Sequence, residues 1–192
     1  MKIIKSLLLL VCLLNIAFAQ NLGIYGSLVQ GEDIEKDLYG VGLKAQIPLS
    51  DSFFVVLRAT RYSEYSEALT IGPLDLPARI DADFTPIDIG IGWQKSISEA
   101  LYFFADVGFS YLISDGEFSV TGFPGTLKME DDEGWYSNIG VRHGKEYQFF
   151  AEIQFRNVDG KVNTDGLPPT LSTLSEFPIK HLSLNVGVAY QW

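Results

Sequence analysis

Few residues in this chain are of the types that do covalent chemistry at neutral pH. Histidine occurs twice, at His143 and His181, and imidazole is the side chain best suited to moving a proton near pH 7. His181 stands two residues before Ser183, which in an extended strand puts base and hydroxyl on one face. Such a pair attacks a carbonyl carbon only when a third group orients the imidazole, and no Asp or Glu follows Ser183. The sole cysteine, Cys12, lies in the amino-terminal apolar run. Metal-ligand spacing, a phosphate loop and a dinucleotide fingerprint are all missing. The residues therefore assign no catalytic group, no metal and no cofactor.

A second polar set is more informative. Lys44, Arg58, Arg142 and Arg156 on one side of the ledger, with Asp88, Asp106 and Glu152 on the other, all fall on the small or polar side of alternating segments. Charges enclosed in a narrow space have to pair, because an isolated buried ion costs several kcal/mol. Counted from the nearest tight turns, Arg58, Asp88, Asp106 and Glu152 lie at similar heights. The expectation is one central network in which Arg58 bridges the two aspartates. The alternative is that each group faces water in an open channel.

The elements that must position these groups are strands. The last twelve residues alternate strictly: Leu182, Leu184, Val186, Val188, Tyr190 and Trp192 on one face, His181, Ser183, Asn185, Gly187, Ala189 and Gln191 on the other. Candidate strands run at roughly 21–30, 37–47, 52–62, 80–94, 100–113, 134–143, 146–157 and 180–192. An apolar-Gly-apolar triplet recurs around Gly42, Gly90, Gly140 and Gly187. A Phe-Phe pair recurs at Phe53-Phe54, Phe103-Phe104 and Phe149-Phe150. The repeat is a two-strand unit; the first unit, with Ile24-Tyr25-Gly26, lacks the Phe pair. Connections 48–51, 95–99 and 144–145 are tight turns. Those at 63–79, 114–133 and 158–179 are long, and 31–36 lies between. In residues 80–84 the apolar parity is opposite to the rest of that strand, which predicts a bulge near Thr85 and Pro86.

Residues 1–19 read as an export signal. Lys2 and Lys5 precede an apolar run, and Ala17, Phe18 and Ala19 form a small-x-small cleavage site. The run is shorter than the ~20 residues a membrane helix needs, and Val11 before Cys12 does not suit lipid attachment. Removal of 1–19 takes two lysines and no acids, so the net charge moves from −10 to −12. That balance argues against a nucleic-acid partner. Residues 20–192 then form one domain. With no long apolar run left, insertion into a membrane requires strands closed into a barrel.

The faces choose between lipid and water outside. Trp93, Trp192, Tyr190 and Tyr147 sit on the apolar parity near the tight turns. Trp135, Tyr111 and Tyr39 sit on it near the long connections, as aromatic girdles do at two membrane interfaces. The opposite parity is polar or glycine, suited to a crowded bore. A soluble, ligand-binding barrel would have it the other way round.

Taken together, the signal, the glycine triplets and the closing Val186, Val188, Tyr190 and Trp192 resemble the small outer-membrane β-barrels of Gram-negative bacteria, of the OmpA-transmembrane-domain, OmpX and opacity-protein type. The resemblance implies an all-β, eight-stranded, up-and-down antiparallel barrel in the outer membrane, with short periplasmic turns and long extracellular loops. It implies contact with lipid and lipopolysaccharide, and reading of the closing strand by the barrel-insertion machinery. Phe123, Pro124, Leu167 and Pro168 fall at loop tips that either pack on one another or meet an extracellular protein or phage. The acidic stretches 129–133 and 32–37 read as solvated loops. Three functions remain: a non-enzymatic structural or adhesin-like surface barrel with a plugged lumen, a narrow channel, and a lipid-modifying enzyme. The third rests on His181 and Ser183, whose spacing is similar to that in lipid A deacylases.

Overall fold

The computed structural model describes residues 20–31, 34–71, 76–121, 126–162 and 176–192. Within them lie ten strand segments, β1 (Asn21–Gly31), β2 (Ile34–Pro48), β3 (Phe53–Tyr62), β4 (Tyr65–Ile71), β5 (Leu76–Ser96), β6 (Leu101–Val120), β7 (Thr126–Glu130), β8 (Asp132–His143), β9 (Tyr147–Val162) and β10 (Glu176–Gln191). β4 continues the stave begun by β3, and β7 leads into β8, so the segments make eight staves. All ladders are antiparallel. β1 pairs with both β2 and β10, which closes the barrel and leaves no edge around its waist.

The staves are longer than the sequence pattern suggests. β5 spans 21 residues and β6 spans 20, and much of 63–79 and 114–133, expected as loop, is strand. The apolar outer belt covers only part of that length. On β6 it runs from Phe103 to Tyr111, about eight residue steps, which at a tilt of ~40° rise about 20 Å, near the height of a lipid-facing band. Beyond it the outward positions are Asp115 and Glu117, both exposed.

The inner face changes at the same height in the opposite sense. Below, the bore is lined by Lys44, Arg58, Asp88, Asp106, Glu152 and Arg156. Above, Val29, Leu38, Tyr62, Tyr65, Ala82, Phe84, Leu112, Met129 and Val158 form one buried apolar cluster. This exchange explains residues 80–84. β5 pairs with β6 without interruption from Ala78↔Val120 to Ser96↔Tyr102, so there is no bulge at Thr85 and Pro86. Ala82 and Phe84 face inward with Asp88, and the bore itself has become apolar around them. The irregularity lies on the neighbouring stave. From Ala59↔Ile87 to Tyr65↔Ala82 one strand advances six residues and the other five, a one-residue slip across the β3–β4 join. Pro86 stands where β5 has no described partner on that side, so its missing N–H costs no ladder bond.

A second join, between β7 and β8, falls at Asp131. Its carboxylate accepts from the backbone N–H of Ser114 at 3.1 Å and from the Tyr111 hydroxyl at 3.2 Å. Met129 points into the apolar cluster. The stretch 129–133, expected as a solvated acidic loop, is therefore part of the wall. Phe123, Pro124, Leu167 and Pro168 lie outside the described residues, as do 1–19.

Three of the repeated glycines, Gly42, Gly140 and Gly187, and the Phe pairs have a common cause inside the bore; the fourth, Gly90, instead faces the Tyr136 hydroxyl and the Val107 carbonyl. The ring of Phe54 lies over Gly92, Phe104 over Gly140, and Phe150 beside Gly187, each directly across a ladder. Tyr25 takes this part in the unit without a Phe pair, lying over Gly42. A β-carbon at Gly187 would meet the Ile24 carbonyl oxygen and the Phe150 ring, whereas one at Gly26, on the outer face, would meet nothing within 4 Å. Gly187→Ala should therefore destabilise the barrel by about 1–3 kcal/mol, the usual cost of overpacking. Gly26→Ala should change stability by less than about 0.5 kcal/mol. Urea unfolding in detergent micelles, followed by tryptophan fluorescence, distinguishes the two.

Candidate functional site: the charged lumen

Six charged side chains from five staves meet in the bore, all at most 5 % exposed. Arg58, from β3, donates Nη1 to Asp106 Oδ1 and Nη2 to Asp106 Oδ2, both at 2.8 Å, a bidentate pairing. Its Nε stands 3.2 Å from Glu152 Oε1, an ion-pair distance without hydrogen-bond alignment. Glu152 Oε2 accepts from Lys44 Nζ at 2.5 Å and from Asn138 Nδ2 at 3.2 Å. Asn138 also donates to Asp106 at 2.8 Å. Asn185 donates to Glu152 at 3.2 Å and to Gln154 at 3.3 Å, and Gln154 donates to Asp88 at 2.7 Å. Asp88 accepts from Arg156 Nη2 at 2.6 Å. Arg156 Nη1 donates to His181 Nε2 at 2.9 Å, which ends the chain of contacts at the apolar cluster.

The connection differs from the expected one in a single link. Arg58 bridges Asp106 and Glu152, not Asp106 and Asp88. Asp88 is the direct cross-strand partner of Arg58, but Arg156 reaches it from across the bore. Aromatic faces complete the cation environments: Lys44 Nζ lies 4.2 Å from the Phe104 ring centre, and the Arg58 guanidinium 5.4 Å from that of Tyr136. Three cations thus meet three carboxylates. Arg142 stands apart, nearer the tight turns, where Gln46 and Gln94 side-chain oxygens accept from it and Tyr102 underlies it.

His181 and Ser183 both point into the bore. The imidazole packs edge-on against Tyr62 and is hydrogen-bonded to a guanidinium, not a carboxylate. Ser183 is fully buried. The described residues give this pair no orienting acid, and they leave His181 8 % exposed and Ser183 with no exposed surface.

The girdle residues face outward. Trp93, Trp192, Tyr190 and Tyr147 are exposed near the tight turns, with Tyr147 and Tyr190 ring centres 5.2 Å apart and Trp93 packed on Phe103. Trp135 and Tyr39 are exposed at the other margin, Trp135 against Phe155 at 5.3 Å, with Tyr111 half-buried beside them. In the closing strand Val186, Tyr190 and Trp192 are exposed and Val188 is half-buried. Sequence parity does not reveal Asn138, Gln154 and Asn185 as the links that join the ion pairs. Their signal was only polarity on the inward side, shared with many other residues.

A closed eight-stave antiparallel barrel with an apolar belt outside and packed polar residues inside is the fold of the small outer-membrane β-barrels. Solved structures of that kind superpose on nearly the whole chain. OprG from Pseudomonas aeruginosa matches with a TM-score of 0.58 at 10% identity, covering 91% of this chain and 96% of that one. Neisserial surface protein A matches at 0.58 and 14%, covering 90% and 95%. Ail, the attachment invasion locus protein of Yersinia pestis, in complex with the heparin analogue sucrose octasulfate, matches at 0.51 and 14%, covering 90% and 96%. At such identities the likeness is one of fold. No family model matches the chain, and neither does any curated protein.

Removing the Arg58 guanidinium would leave Asp106 and Glu152 short of a counter-charge inside the bore. Arg58→Ala should cost about 3–5 kcal/mol, the range for breaking a buried ion pair, measured as a lower thermal midpoint in detergent.

Proposed function

We propose that this protein is a non-enzymatic barrel of the Gram-negative outer membrane, exported by a signal at 1–19, with a plugged lumen and a structural or adhesin-like role at the cell surface. The observation that carries the reading is the filling of the bore at two successive levels. The ion-pair network occupies the height of the apolar belt, and the apolar cluster around Phe84, Leu112 and Met129 occupies the height above it. An ion would have to break the first and desolvate in the second.

The girdles of Trp93, Tyr147, Tyr190 and Trp192 and of Tyr39, Tyr111 and Trp135 support contact with lipid and lipopolysaccharide. The alternating outward face of β10, with Val186, Val188, Tyr190 and Trp192, supports recognition by the insertion machinery. Above the belt the outward surface carries Asp37, Glu64, Asp115, Glu117 and Glu133 against Arg61, Arg79 and Lys128, all exposed. The polyanion seen on Ail would meet an acidic surface here, so an extracellular protein or phage partner would present cationic groups. Burial of His181 and Ser183 away from the outer face speaks against lipid hydrolysis.

Reconstituted in planar bilayers, the protein should give a flat current trace. Regular, discrete openings would contradict the plugged lumen and favour the channel.

A further inference from the structure

We infer that the periplasmic mouth of the barrel is a binding site for a small oxyanion, a carboxylate or a phosphate, held by Arg142. The reasoning is one of charge balance within the bore. Lys44, Arg58 and Arg156 are matched by Asp88, Asp106 and Glu152 through contacts of 2.5–2.8 Å. Arg142 is the seventh charge. Among the described residues no carboxylate lies within ion-pair distance of it.

Its surroundings are built but neutral. Nη1 donates to Gln46 Oε1 at 2.9 Å, Nη2 donates to Gln94 Oε1, and the guanidinium carbon lies 4.9 Å from the Tyr102 ring centre. A guanidinium has five N–H donors, so these contacts use two, and Nε is buried without an acceptor. Gln46 is 5% exposed and Arg142 8%, the largest exposure of the seven charged groups. Arg142 stands two residues from the turn at Gly144, so its access is from the periplasmic side. A cation almost removed from water and given only amide oxygens lacks a counter-charge, and a planar fork of donors suits an oxyanion. The further amides at the mouth, Asn21, Gln148 and Gln191, bond to one another and leave Arg142 as the charged group inside the bore at this end, with Asp51, Lys95, Glu99, Lys145 and Glu146 on the turns outside it.

The test uses the whole mature protein in an uncharged, phosphate-free detergent, melted in chloride, acetate or phosphate at equal ionic strength. Acetate and phosphate should each raise the midpoint above that in chloride, and the Arg142 Nε–Hε NMR resonance should shift saturably with either. Gln46→Glu places a carboxylate at the same nitrogen. It should melt higher than the wild type and lose the anion dependence, as should Arg142→Gln lose the dependence. Adding an anionic phospholipid to the micelles separates sources: a shift with lipid alone assigns the oxyanion to a headgroup, and one with the free anions assigns it to a soluble ligand. Equal midpoints in all three salts and with lipid, with an unmoved resonance, would overturn the site. So would an anion dependence that survives in both variants.

Discussion

Three carboxylates and three cations, each at most 5 % exposed inside one narrow bore, have to find one another, and much of the barrel follows from that requirement. The interior of an eight-strand barrel is just wide enough to be filled by side chains. Arg58 can serve Asp106 and Glu152 at once only because both arrive at its height from other staves. Asn138, Gln154 and Asn185 carry the connection onward to Asp88 and Arg156. The glycines are the steric counterpart of this crowding. Rings at Tyr25, Phe54, Phe104 and Phe150 need a neighbour without a side chain, and the opposite residue in the ladder supplies it.

A second constraint is the medium outside. Where the wall meets lipid, its outer face is Phe, Val, Ile and Leu and its inner face is polar. Where the wall rises beyond lipid, both faces reverse, as they must for a strand with water outside and a packed core inside. The reversal involves no change of register on β5 and β6. The upper part is in effect a soluble barrel built on the same staves as the lipid-facing part. Its apolar core sits inside the same staves, above the ion pairs.

The sequence made the closed barrel, its outward face and its girdles legible, because period-two alternation and aromatic placement are local properties. Residues 80–84 show the limit. Ile80, Ala82 and Phe84 break the apolar parity, and a bulge is the local explanation when the surroundings are taken as uniform. The actual explanation is a change of environment along one straight strand, which no window of sequence contains. The staves beyond the belt likewise look like loops in sequence, because an acidic outer face resembles solvated chain. The ion-pair partners illustrate a third limit. Parity and height placed Arg58 among Asp88, Asp106 and Glu152, but which carboxylate it takes depends on what Arg156 claims from across the bore.

The most direct test follows one strand through both environments. Nitroxide labels placed singly along β6 from Phe103 to Glu117 report collisions with oxygen, which partitions into lipid, and with a polar relaxant confined to water. Odd positions from 103 to 109 should collide with oxygen, positions 115 and 117 with the polar relaxant, and the even positions with neither, in unbroken period two. A phase break between 109 and 115, or access of the polar relaxant to positions 106, 108 and 110, would contradict the account.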